Sequence, residues 1–288
     1  MDHSRERLLA GLPVTERRLE LGRVSTAVLE GGDGPPLVLL HGGIESGGAY
    51  WAPVIYDLAE SHSLVVPDVP GLGESDPHAR LDSGALADWF AELVRSTCRE
   101  QPTLIAHSLL GNLAARIAAR HGNLLRRLVI YGAPAIGPFR MPLGLRVVAI
   151  RFALRPTERN GERFERRAFH DLDLARQRDP EWFEAWSAYT RARAVVPHCK
   201  RTMRWLIPHC TKEIPDDELR RITLPTTLLW GRHDRFVSLD HAEAASARLG
   251  WPLHVVDDAG HVPHIERPEA FLHTLRKASN PRSAVTRL

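Results

Sequence analysis

Short apolar runs alternate with longer segments of helical period along most of this chain, and that alternation restricts its fold more than any other feature. The runs fall at 37–40, 63–67, 103–106, 128–131, 226–230 and 253–256. Each is apolar at consecutive positions rather than at every second one, as expected of strands buried on both faces. Helical patterns occupy 51–60, 85–99, 109–120, 241–249 and 268–277, the last opening with Pro268 at a first-turn position. Strand followed by helix, repeated, builds a parallel sheet covered on both faces. Two earlier segments, 16–21 and 24–30, fit an antiparallel pair that opens the sheet. The predicted fold class is therefore α/β, with a mostly parallel eight-stranded sheet and helices on both faces.

The alternation stops at Gly132-Ala133-Pro134 and resumes at Leu224-Pro225. The intervening stretch has helical periodicity and is predicted to be an inserted helical cap over 134–215, with core parts at 1–133 and 216–288. It is also the basic part of the chain, holding 16 of the 38 Lys and Arg residues against 9 of the 35 Asp and Glu. Such a bias suits solvated helix faces, an anionic partner or a membrane surface. The segment 143–154 is apolar with Arg146 and Arg151 interspersed, a pattern shared by a lid helix and a helix that lies on a membrane. The lid is the expectation taken here. Trp182, Phe183, Trp186 and Tyr189 lie at spacings that suit packing within a helix. A loose tail is expected at 280–288.

At 288 residues with 43% hydrophobic content, the chain can bury a substantial core. The first 20 residues are rich in Arg and Glu and lack the apolar stretch of a secretory signal. No run is long enough to span a bilayer. Three cysteines, Cys98, Cys199 and Cys210, lack the close paired spacing of a disulfide framework or a zinc site. A cytoplasmic location is expected. The glycines at 42, 43, 47 and 48 are not followed by Lys-Ser or Lys-Thr, so they do not form a phosphate loop. With no metal, nucleotide or nucleic-acid motif, no cofactor and no nucleic-acid partner are expected; the oligomeric state is left open.

Chemistry concentrates at Leu104-Ile105-Ala106-His107-Ser108-Leu109-Leu110-Gly111, where an apolar strand runs into a serine and then a helical pattern. A serine there sits on a tight turn with its hydroxyl raised above the sheet edge. Such turns favour small residues two positions either side. Ala106 satisfies this and Leu110 departs from it, with glycine arriving one residue later at Gly111. Alone, the motif leaves Ser108 divided between a nucleophile and a helix cap. Trp230-Gly231-Arg232-His233-Asp234 follows another strand, however, and Val255-Val256-Asp257-Asp258-Ala259-Gly260-His261 follows the last. Ligand sites in open α/β sheets form at these carboxyl ends. A serine hydroxyl needs a base within hydrogen-bond reach, an imidazole can serve near neutral pH, and a carboxylate can orient it. Asp257 and Asp258 are alternatives to Asp234, disfavoured by their closeness in sequence to His261. His107, His41, His264 and Ser75 read as packing or loop-supporting residues.

With His41-Gly42-Gly43, Asp68-Val69-Pro70-Gly71-Leu72-Gly73-Glu74-Ser75-Asp76 and Glu266-Arg267-Pro268 added, the chain from about residue 16 to 277 resembles the capped serine members of the α/β-hydrolase superfamily. It looks esterase- or lipase-like and, more distantly, like hydrolases of ring-cleavage diketones. That resemblance implies Ser108 as nucleophile, His261 as general base and Asp234 as its orienting acid. It also implies an oxyanion hole from the backbone N–H groups of Gly43 and Leu109. The implied substrate is a small, largely apolar ester, thioester or lactone. A carbon–carbon bond hydrolase and a ligand-binding protein on this scaffold are the alternatives. Arg191 and Arg193 would suit a carboxylate-bearing substrate. For the diketone branch, His107 and Val262 stand where Asn and Trp are usual.

Overall fold

The computed structural model describes residues 4–79 and 81–279, so the tail expected at 280–288 lies outside the described residues. Eight strands, β1 (Val14–Leu21), β2 (Val24–Gly31), β3 (Pro36–Leu40), β4 (Ser63–Pro67), β5 (Thr103–His107), β6 (Arg127–Tyr131), β7 (Thr226–Gly231) and β8 (Leu253–Val256), form one sheet. Their order is β1-β2-β4-β3-β5-β6-β7-β8. β2 runs antiparallel to β1 and β4, and the remaining neighbours are parallel. Successive side chains on a strand point to opposite faces. Val38 and Leu40 of β3 accordingly join one core cluster and Leu37 and Leu39 the other. β5 and β6 divide in the same way, Ile105 and Val129 facing away from Leu104 and Leu128. Burial on both faces is the physical origin of the continuous apolar runs. At the outer edge, β1 carries exposed Glu16, Arg17 and Arg18, whose charges discourage pairing with another chain.

Within residues 134–215 lie the helices Leu143–Leu154, Glu158–Ala168, Leu172–Arg178, Pro180–Ala194 and Pro197–Cys210, and the short helix Asp216–Leu219 follows before β7. Their starts are encoded locally. Asp171 accepts from the Leu174 N–H at 2.9 Å and Asp179 from that of Trp182 at 3.0 Å, while prolines open the Pro180–Ala194 and Pro197–Cys210 helices. Phe169, Leu172, Phe183, Trp186 and Tyr189 from this segment pack with Tyr50, Val262 and Ile265 from loops at the carboxyl side of the sheet. The Ile214 N–H donates to the Ala135 carbonyl at 3.0 Å, closing the two chain crossings into a neck.

A short helix at Ser4–Leu9, not anticipated from the sequence, docks on this assembly through Leu8. Its Arg5 guanidinium is buried, 3.0 Å from Asp68 and 2.5 Å from Glu16. It also donates to the Tyr189 hydroxyl at 3.2 Å, and that hydroxyl donates to Glu74 at 2.6 Å. One cation thus ties the N-terminus, the loop after β4 and the Pro180–Ala194 helix together. No helix among the described residues is long and apolar enough to cross a membrane.

Candidate active site

β5 ends at His107 and the helix Ser108–His121 begins at the next residue, leaving Ser108 to make the whole turn. Its φ is +51°, a left-handed conformation that costs a residue with a Cβ on the order of 1 kcal/mol. Leu110 does not obstruct the turn, because its side chain points into the core and is fully buried. The close approach falls instead on Gly111. A Cβ there would stand 2.8 Å from the Ala133 Cβ and 3.1 Å from the Ala106 carbonyl.

Loops after β7 and β8 bring the other two residues to the serine. The Ser108 Oγ lies 2.9 Å from His261 Nε2, and His261 Nδ1 lies 2.8 Å from Asp234 Oδ2. A carboxylate only accepts, so Nδ1 carries the proton and Nε2 is left as acceptor for the Ser108 hydroxyl. The other Asp234 oxygen accepts from the N–H groups of Phe236 (2.7 Å) and Val237 (3.0 Å), which fixes the carboxylate plane. All three side chains are buried. The His261 ring lies between Phe236 and His107, at centroid distances of 4.5 and 4.6 Å. Gly132, at φ +58°, makes room for it, since a Cβ would come within 3.0 Å of His261 Cε1.

The backbone of the histidine loop is held from the opposite side. The His261 N–H donates to the Ala168 carbonyl at 2.7 Å. The buried Glu266 carboxylate accepts from Gly260 at 2.7 Å through one oxygen and from His170 at 2.7 Å through the other. Glu266 therefore fastens the segment after the Glu158–Ala168 helix directly to the loop that carries the imidazole.

Gly43 and Leu109 flank Ser108 on the wall of the same cavity. A Cβ on Gly43, whose φ is +70°, would meet the Leu109 side chain at 3.0 Å. Leu109 sits in the first helical turn, where an N–H has no carbonyl four residues back to bond. The remaining sequence candidates have other partners. His107 donates through Nε2 to the His261 carbonyl at 2.9 Å and accepts from the Tyr50 hydroxyl at 3.0 Å. Burial and the neighbouring His261 keep His107 neutral, well below the usual imidazole range. His264, held at about 3 chiefly by burial, lies 3.1 Å from the Tyr131 hydroxyl, and His41 accepts from the Val69 N–H at 3.3 Å. Ser75 bridges the Ala27 N–H and the Asp68 carbonyl. Asp257 pairs with Arg232 at the surface, and the carboxylate hydrogen-bonded to His261 is that of Asp234.

The cavity above Ser108 measures about 190 Å³, somewhat more than the roughly 150 Å³ that admits a benzene ring. Leu145, Phe152, Phe164, Trp186, Met203 and Phe236 make most of it apolar. Arg191 is the arginine on its wall, and both it and Arg193, which does not line the cavity, are already engaged. Arg191 donates to Ser187, which donates to Glu165, and Arg193 lies 3.6 Å from Glu74. Glu45, two residues beyond Gly43, also lines the cavity and has no ion-pair partner among the described residues; burial raises its carboxyl to about 7. Sequence reasoning missed Glu45, Tyr50, Glu266 as a fastening group and Arg5. Only Glu45 and Glu266 carried a signal, Glu45 as a near neighbour of His41-Gly42-Gly43 and Glu266 as a member of Glu266-Arg267-Pro268. Outside the cavity, His170, His233 and Asp258 bring potential metal-ligand atoms within 4.8 Å of one another. The two imidazoles are stacked at 3.9 Å rather than converging on a point.

The chain matches the family described as alpha/beta hydrolase fold over residues 35–268. It belongs to that family. Among similar members, the 2-hydroxymuconate semialdehyde hydrolase of Pseudomonas sp. is 25% identical, over 90% of this chain and 92% of its own. The pimeloyl-[acyl-carrier protein] methyl ester esterase of Aeromonas hydrophila is 26% identical, over 88% and 98%. The crystal structure of naproxen esterase from Bacillus subtilis superposes with a TM-score of 0.79 at 20% identity, covering 96% of each chain. The family thus includes both esterases and carbon–carbon bond hydrolases among this chain's relatives.

Proposed function

We propose that this α/β hydrolase cleaves an ester, thioester or lactone of a small, largely apolar substrate through an acyl-enzyme. One observation carries the proposal: an unbroken Ser108–His261–Asp234 hydrogen-bond chain opens into an apolar cavity. Ser108 attacks the carbonyl as His261 Nε2 takes its proton, and Asp234 stabilises the imidazolium. The N–H groups of Gly43 and Leu109 receive the oxyanion, a contribution worth about 10²–10³ in turnover per donor. The imidazolium then returns its proton to the leaving alkoxide or thiolate, and water repeats the sequence on the acyl-enzyme. Residues 134–215 act as the cap, excluding water and setting substrate size.

A series of p-nitrophenyl esters of increasing acyl length tests this directly. Turnover should peak at short to medium chains, and a fluorophosphonate should label Ser108 one-to-one. Folded protein that neither turns over nor labels would remove the ester proposal and call for a ring-cleavage diketone as the next substrate.

Glu45 separates neutral from anionic substrates. Its folded pKa of about 7 lies above that of an unfolded carboxyl, so the burial cost is absent in acid and grows as pH rises toward 7. Glu45→Gln should therefore gain in Tm over the wild type at pH 8 and show little gain at pH 5. An ionised Glu45 also repels a carboxylate inside the cavity. KM for a carboxylate-bearing ester should rise between pH 6 and 8 in the wild type and stay flat in Glu45→Gln. Equal pH profiles for neutral and anionic esters would show that the Glu45 charge does not reach the substrate.

A further inference from the structure

The Leu143–Leu154 helix is apolar on two opposite faces. Leu145 and Phe152 are buried, and with Ala149 they line the cavity. The opposite side bears Leu143 (74% exposed), Val147 (39%), Ile150 (53%) and Leu154 (75%). These four positions fall within roughly 60° of one another on a helical wheel, forming one stripe along the full length. Single exposed apolar residues are ordinary, but an aligned stripe on one helix is a contact surface.

The charged residues on the helix and immediately flanking it in sequence, from 140 to 155, are all arginines. On the wheel, Arg146 lies on one side of it and Arg151 on the other, each roughly 60–80° from its centre. Arg140 precedes the helix and Arg155 caps it, all four being exposed. The Arg167 guanidinium lies against Gly144 at the start of the same helix. None of these five has a carboxylate partner among the described ion pairs. From Gln101 to Thr157 the chain contains no Asp or Glu. At 12 residues the helix spans about 18 Å, too short to cross a bilayer. An apolar stripe bordered by arginines is the arrangement of a helix lying in the plane of an anionic interface.

We infer that the Leu143–Leu154 face is a docking surface for an anionic phospholipid membrane. Leu143, Val147, Ile150 and Leu154 enter the acyl boundary, and the arginines meet the phosphates. Docking sets the cavity wall against the lipid, where apolar esters concentrate. This goes beyond the proposed reaction and can be tested without any turnover.

The experiment is vesicle flotation of the full chain, comparing pure phosphatidylcholine with a mixture containing phosphatidylglycerol. The protein should float with the mixed vesicles and largely fail to do so with phosphatidylcholine alone. Binding should fall as salt rises to about 0.5 M, where charge is screened within a few ångströms. Arg146→Glu with Arg151→Glu, and separately Val147→Glu with Ile150→Glu, should each weaken binding at least about tenfold. Both variants should keep wild-type turnover of a soluble short-chain ester, since none of the four residues lines the cavity, and that turnover verifies folding. Failure to float with phosphatidylglycerol, or flotation unchanged in both variants, would overturn the inference. So would a dimer in light scattering that Val147→Glu with Ile150→Glu dissociates, which would assign the face to a second copy. A membrane-binding protein inactive on every ester would leave the docking surface standing and remove only the reaction proposal.

Discussion

Ser108→Ala is expected to lower kcat on a p-nitrophenyl ester by about 10⁶-fold, and Asp234→Asn by about 10⁴-fold. The two numbers differ because the residues fail differently. Without the Ser108 hydroxyl there is no covalent route, and only binding and oxyanion contacts remain. The Asp234→Asn variant would keep the shape of the site, but its amide could face His261 with a donor where Asp234 Oδ2 now accepts at 2.8 Å. The other Asp234 oxygen is committed to the N–H groups of Phe236 and Val237. Those bonds would hold the amide oxygen of the variant there and turn its NH₂ toward the imidazole. The ring would then prefer the tautomer protonated at Nε2, leaving no acceptor for the serine proton. Single-turnover kinetics should locate the loss in acylation. A fall of tenfold or less for Asp234→Asn would transfer the orienting role to another group.

Arg5→Met is expected to destabilise the fold by about 3 kcal/mol or more, because breaking a buried ion pair leaves its partner charge uncompensated. Asp68 would keep its backbone donors but lose the guanidinium that offsets its burial, in a side chain 1% exposed. Tyr189 would lose a donor as well. For a chain of this length the deficit corresponds to roughly 6 °C or more in Tm. Arg5→Met with Asp68→Asn should recover part of it by removing the stranded charge. Equal Tm for Arg5→Met and the wild type would show that the N-terminal helix is an ornament on the fold.

Neither Arg5 nor its helix is legible in the sequence, and the reason is physical. Ser4–Leu9 is six residues long, too short for a period to register or for a helix to persist alone. What stabilises it comes from Asp68, Glu16 and Tyr189, scattered along the chain. The strands are legible because burial on two faces writes itself into consecutive residues, as at Leu37 to Leu40. Ser108, Asp234 and His261 stood out because each follows such a run, although only the structure joins them. Glu45 stands beside one sequence motif and Glu266 within another, but their roles emerge only when folding encloses one in the cavity and sets the other against the backbone N–H groups of Gly260 and His170. A bond from a carboxylate to main-chain donors is not itself written in the side chains of its neighbours.

The fastening of residues 168–171 to His261 divides the roof of the cavity into two regions with unequal freedom to change. On the proposed reaction, alterations along the fastened flank are expected to shift the imidazole and lower turnover of every substrate alike. The Leu143–Leu154 helix, which packs chiefly on the Glu158–Ala168 helix, has no such bond to the chemistry. Substitutions at Leu145, Ala149 or Phe152, which line the cavity, are therefore expected to change which substrates are accepted and to leave the proposed proton transfer as it is. Related sequences should diverge fastest along that helix and most slowly across 168–171, and libraries seeking new substrates belong on the first.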